Sequence, residues 1–293
     1  MSRWLVTGSA GMLGRDLVAT LAADGAAVIG LTRQELDIAD DAAVRAALGD
    51  CKPDVVVNCA AWTAVDEAEA READAFAVNG QGAAHLAAAC AAGHGAGNGI
   101  RLVQMSTDYV FAGGAGRPYG EHDTPGPRSA YGRSKLAGER AVLGLLPRGG
   151  YVVRTAWLYG AHGPNFVSTM IRLEREKPNV DVVNDQRGQL TWTVDVARQV
   201  LALVRADAAP GVYHATSSGE ATWFEVAREV FRLVGADPAR VRATSSAAYC
   251  RPAPRPSYSV LGHDAWAAIG IEPIGDWRTQ LRRAFPELVR IGA

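Results

Sequence analysis

The strongest constraint on this chain lies in its first 23 residues. Trp4 to Thr7 reads as a strand. It breaks at Thr7-Gly8-Ser9-Ala10-Gly11-Met12-Leu13-Gly14, and Gly14 to Ala23 then reads as a helix. A strand that turns through three glycines into a helix lets backbone come close to an anion. The helix N-terminus offers that anion free N–H groups and a partial positive charge. The ligand this arrangement fits is the pyrophosphate of a dinucleotide, with Gly8, Ser9, Gly11, Met12, Leu13 and Gly14 as its cradle. Glycine spacing alone is weak, since 32 of the 293 residues are Gly. Its place between the first strand and the first helix carries the reading.

The rest of the first half repeats the alternation. Strands are expected at Ala26 to Leu31, Val55 to Asn58, Arg101 to Met105 and Tyr151 to Thr155. Helices are expected at Asp41 to Leu48, Phe76 to Ala92 and Ala130 to Leu146. Strands apolar on both faces and spaced by helices predict an α/β fold, a Rossmann-type doubly wound parallel sheet that binds its ligand at the carboxyl ends of the strands. Residues 1–156 are therefore expected to form an NAD(P)-binding domain. Residues 157–293, with helices over Pro164 to Glu176, Val194 to Arg205 and Thr222 to Leu233, form a smaller substrate-binding part interleaved with it. The glycine-rich stretch Gly93 to Gly99 reads as a surface connection.

Composition removes several function classes. Thirty Lys+Arg against 31 Asp+Glu leave a net charge of −1, which gives no basic surface for nucleic acid or an anionic membrane. No apolar run approaches the ~20 residues that cross a bilayer, and the N-terminus leads into a strand rather than a signal peptide, so the expectation is a cytoplasmic chain. Cys51, Cys59, Cys90 and Cys250 lack C-x-x-C spacing and read as small buried hydrophobes in a reducing compartment. The six histidines form no H-x-x-x-H pair, which sets zinc-hydrolase chemistry aside.

Redox chemistry is written in Tyr131-Gly132-Arg133-Ser134-Lys135. Residues i and i+4 share a helix face, and only three lysines occur in the chain, so a chance Y-x-x-x-K is rare. A free tyrosine titrates near 10, and a neighbouring ammonium is expected to bring it toward a pKa useful for proton donation. Upstream, Thr107 sits where the fourth strand ends and can hold a substrate carbonyl for hydride attack. Where the second strand ends, Arg33 stands at the position that reads the ribose 2′ substituent, which favours NADPH while leaving NADH open because Glu35 lies close. Asp37 and Ile38 either flank the adenine or, for Asp37, cap the next helix.

These residues identify a resemblance. Ser106-Thr107-Asp108-Tyr109-Val110-Phe111, Tyr131 to Glu139, Val57 to Asp66, Arg154 to Gly160, Asn165-Phe166, Asp185 to Gly188 and Arg255 to Ser259 are similar to the extended short-chain dehydrogenase/reductase family, and to its reductases of dTDP-linked 4-keto-6-deoxysugars, over nearly the whole chain. The resemblance implies reduction of the C4 ketone of a dTDP-linked 6-deoxyhexulose by NAD(P)H, as in the last step to dTDP-L-rhamnose. It implies Tyr131 as proton donor, Lys135 as the group that tunes Tyr131 and holds the nicotinamide ribose, and Thr107 as ligand of the reacting oxygen. Thr107, Asp108, Tyr131 and Trp157 would meet the sugar, with Asn165, Phe166 and Gln186 in the nucleotide–sugar pocket. Ala60, Ala61, Trp62, Asn79 and Met105 would border the cofactor. Two positions depart from the pattern: Leu190 replaces a usual proline, and Glu67 stands where some relatives carry Lys. Some members dimerise through magnesium-bound carboxylates. Asp16 lies near that place, so Mg2+ and a homodimer enter as expectations without a matched ligand set. A dehydratase would need Thr-Asp-Glu, and Tyr109 occupies the third position. The alternatives kept are a reductase of another dTDP-4-keto-6-deoxysugar, an epimerase with retained NAD, and a non-catalytic regulatory subunit. The presence of both Tyr131 and Lys135 counts against the last.

Overall fold

In the computed structural model, which describes residues 2–93 and 99–291, the apolar runs pair as strands. Residues 94–98 of the expected surface connection lie outside the described residues. The first half contains β1 (Arg3–Thr7), α1 (Met12–Ala23), β2 (Ala27–Leu31), α2 (Asp41–Cys51), β3 (Val55–Asn58), α3 (Val65–Ala70), α4 (Glu72–Phe76), α5 (Ala83–Ala92), β4 (Arg101–Thr107), α6 (Ala130–Leu145) and β5 (Gly150–Thr155). The second contains β6 (Leu158–Tyr159), α7 (Phe166–Glu176), β7 (Val180–Val183), β8 (Arg187–Gly188), β9 (Thr191–Trp192), α8 (Thr193–Arg205), β10 (Gly211–His214), β11 (Ala221–Thr222), α9 (Trp223–Leu233), β12 (Val241–Thr244), α10 (Asp264–Ala268) and α11 (Trp277–Ile291).

Six strands form one parallel sheet in the order β10-β5-β4-β3-β1-β2. From β1 the chain first moves outward to β2 and then crosses to β3 on the other side, so the switch point lies between β1 and β3, where a crevice opens at the carboxyl ends. A polar ladder floors that crevice. The Thr7 hydroxyl donates to Asn58 Oδ1 at 2.6 Å, and the Asn58 amide donates to Gln104 Oε1 at 2.8 Å. One face of the sheet packs on α1 and α8 through Leu17, Leu21, Val196, Val200 and Leu203. The other face is covered by α2, α5 and α6 through Val44, Leu48, Leu86 and Val142. A separate apolar core built from α7, α9 and α11 holds the C-terminal part together.

Beyond residue 156, β10 completes the sheet and α8 covers one of its faces, so the two parts share a core there. Two expectations need correction. The single helix expected over Phe76 to Ala92 is broken. Ala77–Gly82 widens into a π-helical turn, where buried Asn79 bonds across to Trp62 and Ser134. Cys250 is exposed and Cys51 and Cys59 are half-buried, leaving only Cys90 as the small buried hydrophobe expected. The two departures from the family pattern have local explanations: Leu190 is buried in the C-terminal core, and Glu67 pairs with Arg71 on α3.

Candidate active site

The glycine turn folds as its spacing requires. Gly11 N–H donates to the Gly8 carbonyl at 3.0 Å, and the first intrahelical bond runs from Arg15 N–H to Gly11 O. No side chain caps this end of α1, so its leading N–H groups face the cleft. A Cβ on Gly14 would lie 2.3 Å from the Gly8 carbonyl and 2.9 Å from Ser9 Cα, which is why the turn excludes any larger residue there. These features form a cradle for a pyrophosphate, and the residues present fit a dinucleotide.

The reacting groups converge from β4 and α6. Thr107 is the last residue of β4; its hydroxyl donates to Asp108 Oδ1 at 2.9 Å and accepts the Tyr109 N–H at 3.2 Å. Ser129 caps α6 by accepting the Gly132 N–H at 3.0 Å. The first turn of the helix lies so close to the turn after β4 that a Cβ on Gly132 would fall 2.2 Å from the Tyr109 carbonyl. That approach sets the Tyr131 ring edge-on to Tyr109, with centroids 5.6 Å apart. Lys135 is 4% exposed and donates from Nζ to the Met105 carbonyl at 2.6 Å.

Burial sets the protonation of this cluster. It pushes the Tyr131 phenol up to about 12, although a hydrogen bond with Thr107 pulls the other way. It draws the Lys135 ammonium down to about 8, against the charges of Glu139 and Cys59. It raises the Asp108 carboxyl to about 6, against hydrogen bonds from Ser259 and Thr107 that pull it down. The expectation that Lys135 brings Tyr131 down is therefore corrected: burial dominates at the phenol, and the ammonium is turned to the Met105 carbonyl. The Tyr131 O–H stays protonated through neutral pH, the state a proton donor needs.

A cleft of about 1080 Å³ joins these groups to the cradle. Gly11, Met12, Leu13, Gly14, Ala61, Met105, Thr107, Asp108, Tyr131, Lys135 and Trp157 all line it. Gly8, Ser9 and Ala60 lie just behind, where a Cβ on Gly8 would strike the Ala60 backbone. Arg33 is exposed on the loop after β2, and the nearby Glu35 is engaged by the Thr32 N–H and hydroxyl at 2.8 Å each.

The other expected site residues are placed by local and long-range contacts. Asp37 accepts the Ala39 N–H, while Asp40 is the residue that caps α2. The Ile38 side chain is buried beside Gly82. Asn79 accepts the Trp62 N–H and donates to the Trp62 carbonyl, fixing the backbone between the cleft-lining residues Ala61 and Thr63. Asn165 caps α7 in a capping box, and its amide donates to Gly160 and Gly163. Phe166 and Gln186 line a second cavity of about 750 Å³ between α7 and residues 246–255. Asp16 is buried and accepts a hydrogen bond from Thr193; among the described residues no group of three or more His, Cys, Asp and Glu could hold a metal, so Mg2+ is not supported.

Trp223 is a site residue that the sequence did not reveal. It stacks on Trp157 with centroids 3.6 Å apart and borders both cavities. The stack accompanies a left-handed backbone at Trp157, φ 45°, a strained state for an aromatic residue. Asp66 is also new. It receives Arg255 Nη2 at 2.8 Å and the Ala253 N–H at 3.2 Å, joining the first turn of α3 to the C-terminal part beside the second cavity. At the start of an amphipathic helix Trp223 looks like a core residue, and nothing local marks Asp66 as a long-range partner.

A parallel nucleotide-binding sheet with a threonine, a tyrosine and a lysine gathered at its carboxyl edge defines an extended short-chain dehydrogenase/reductase. Within that class, the model described as RmlD substrate binding domain matches residues 2–290, and the chain belongs to that family. It is 58% identical over 290 residues to a dTDP-4-dehydrorhamnose reductase of Streptomyces griseus, covering 98% of this chain and 94% of that one. It is 56% identical over 286 residues to a dTDP-4-keto-6-deoxy-D-glucose reductase of Streptomyces niveus, covering 98% and 97%. A crystal structure of dTDP-4-dehydrorhamnose reductase from Bacillus anthracis in complex with NADP superimposes with a TM-score of 0.92 at 34% identity, covering 98% of this chain and 99% of that one.

Proposed function

We propose that the protein is an NADPH-dependent reductase of the C4 ketone of dTDP-4-dehydro-L-rhamnose, forming dTDP-L-rhamnose. The observation that carries this reading is the meeting of Thr107, Tyr131 and Lys135 in the cleft that begins at the glycine cradle. A bound nicotinamide supplies the hydride. Tyr131 donates its proton to the C4 oxygen, and Thr107 orients that oxygen beside it. The Lys135 ammonium, with one N–H on Met105, has two others for the hydroxyls of the nicotinamide ribose. The Trp157–Trp223 stack offers an apolar wall to the deoxysugar. The second cavity, with Phe166 and Tyr249 as flat surfaces and Arg251 and Arg255 as cations, suits the thymidine diphosphate. Arg33 supports NADPH over NADH, since Glu35 is already engaged by Thr32. The reaction belongs in the cytoplasm, which suits four unpaired cysteines; no helix among the described residues is long and apolar enough to cross a membrane.

The test is a panel of dTDP-4-keto-6-deoxysugars offered to the purified protein with NADPH, followed by assignment of C4 stereochemistry in the product. NADPH oxidation that yields the L-rhamnose configuration is expected. Interconversion of sugars without added cofactor would make the protein an epimerase, and no turnover of any 4-keto sugar would sink the reading.

A further inference from the structure

Helix α6 presents Tyr131, Lys135 and Glu139 at four-residue spacing, so the three share one face. Glu139 has no place in the proposed reaction, yet it is 2% exposed beneath the reacting groups. Both of its oxygens are taken by Arg154, itself 3% exposed, with Nε to Oε1 at 2.9 Å and Nη2 to Oε2 at 2.7 Å. Glu139 Oε1 also accepts the Ser106 hydroxyl at 2.5 Å. Ser106 stands between the two groups of β4 that matter most: Met105, whose carbonyl receives the Lys135 ammonium, and Thr107. In the β4–β5 register Ser106 faces Arg154 and Thr107 faces Thr155, so the ion pair straddles the last rungs of the sheet before the cleft.

The surroundings of the pair are fixed as well. Arg154 Nη1 lies 3.3 Å from His214 Nε2, and the guanidinium covers the Phe111 ring at 4.9 Å. His214 Nδ1 lies 2.9 Å from the Gly262 carbonyl, which assigns the proton to Nδ1 and leaves Nε2 to accept from Arg154. Burial and the Arg154 charge hold that imidazole down to about 3, so it stays neutral. Around Lys135, the charged or titratable groups are Tyr131 and Glu139 on its own helix, Cys59 after β3, Asp108 after β4 and Arg154 on β5 through Glu139. Burying an ion pair commonly brings no net stability compared with apolar residues of the same size, so its placement here needs another reason.

We propose that Glu139 and Arg154 are positioning residues for the reduction, an inference that rests on the proposed reductase reading: the pair seats Ser106, and through it the Met105 carbonyl and the Thr107 hydroxyl, while its carboxylate keeps Lys135 charged. Removing that carboxylate takes away the negative charge one helical turn from Lys135 and leaves the buried Arg154 guanidinium without its ion-pair partner. Lys135 then loses its proton at lower pH than the value near 8 it otherwise holds.

Glu139→Gln tests this, since the amide keeps the shape and can still accept from Ser106. Two pH profiles are measured from pH 6 to 9: kcat/KM for the ketosugar, and NADPH affinity from tryptophan fluorescence with no substrate present. Both alkaline limbs should move down by about one pH unit, so that near pH 8 the variant shows roughly a fivefold loss, approaching tenfold at pH 9, that largely recovers near pH 6. Glu139→Gln/Arg154→Met, which removes the stranded cation too, should move the limbs less, and it serves as the readout where the single variant folds poorly. A folded variant whose limbs stay at the wild-type pH refutes the electrostatic part of the proposal. A thermal destabilisation with unchanged profiles makes the pair merely structural and overturns it. Failure of the wild-type protein to reduce any 4-keto sugar would strike the reductase reading, whereas the NADPH-affinity profile would still decide the role of the pair.

Discussion

Tyr131→Phe deletes a single oxygen and leaves the ring edge-on to Tyr109, so almost nothing else changes. If Tyr131 only held the substrate by a neutral hydrogen bond, its loss would cost about 0.5–1.5 kcal/mol, or roughly three- to tenfold in rate. If it delivers the proton, the loss is about 10²- to 10⁴-fold, or roughly 3–5 kcal/mol. The two ranges do not overlap, which makes the experiment decisive. The protonation states add a second signature. With the phenol near 12 and the Lys135 ammonium near 8, the alkaline fall in wild-type activity belongs to the lysine. The sign follows directly: above about pH 8 Lys135 becomes neutral, while Tyr131 keeps its proton throughout the measurable range. Single-turnover hydride transfer, followed at the nicotinamide absorbance from pH 6 to 9, should therefore fall at least a hundredfold in Tyr131→Phe and keep its alkaline limb near pH 8. A loss below tenfold would refute proton donation by Tyr131. Disappearance of the limb together with the hydroxyl would show that the limb belongs to the tyrosine and that the burial argument is wrong.

Arg33→Ala should raise the KM for NADPH roughly ten- to a hundredfold, the scale of one lost charge-assisted contact, and leave NADH almost unchanged; equal losses for both cofactors in steady-state kinetics would remove Arg33 from cofactor selection. Gly14→Ala puts a Cβ 2.3 Å from the Gly8 carbonyl, so the turn must shift. Calorimetric titration should show nicotinamide affinity falling by more than tenfold, and thermal unfolding a loss of about 1–3 kcal/mol. Trp157→Ala dismantles the stack on Trp223; the KM for the ketosugar should rise about tenfold while NADPH affinity stays near wild type, and a reversed pattern would move Trp157 out of the sugar site.

Local and periodic signals were readable without coordinates. The apolar runs, the glycine turn after β1 and the i,i+4 pair on α6 each depend on residues close in the chain, where backbone geometry leaves few choices. They sufficed for the parallel sheet and for placing Thr107, Tyr131 and Lys135 together. What the sequence could not express depends on contacts between distant segments. Asn79 and Asn165 carry side chains suited to a ligand, but folding commits one to Trp62 and the other to the cap of α7. Trp223 reaches the cleft only because α9 packs so that its ring meets Trp157, and β10 joins the sheet from the far side of the proposed domain boundary. The protonation of the site was read in the wrong direction for the same reason. Spacing reports that a lysine lies one turn from a tyrosine, but the pKa of each depends on how much water the surrounding fold removes, and that is a property of tertiary packing.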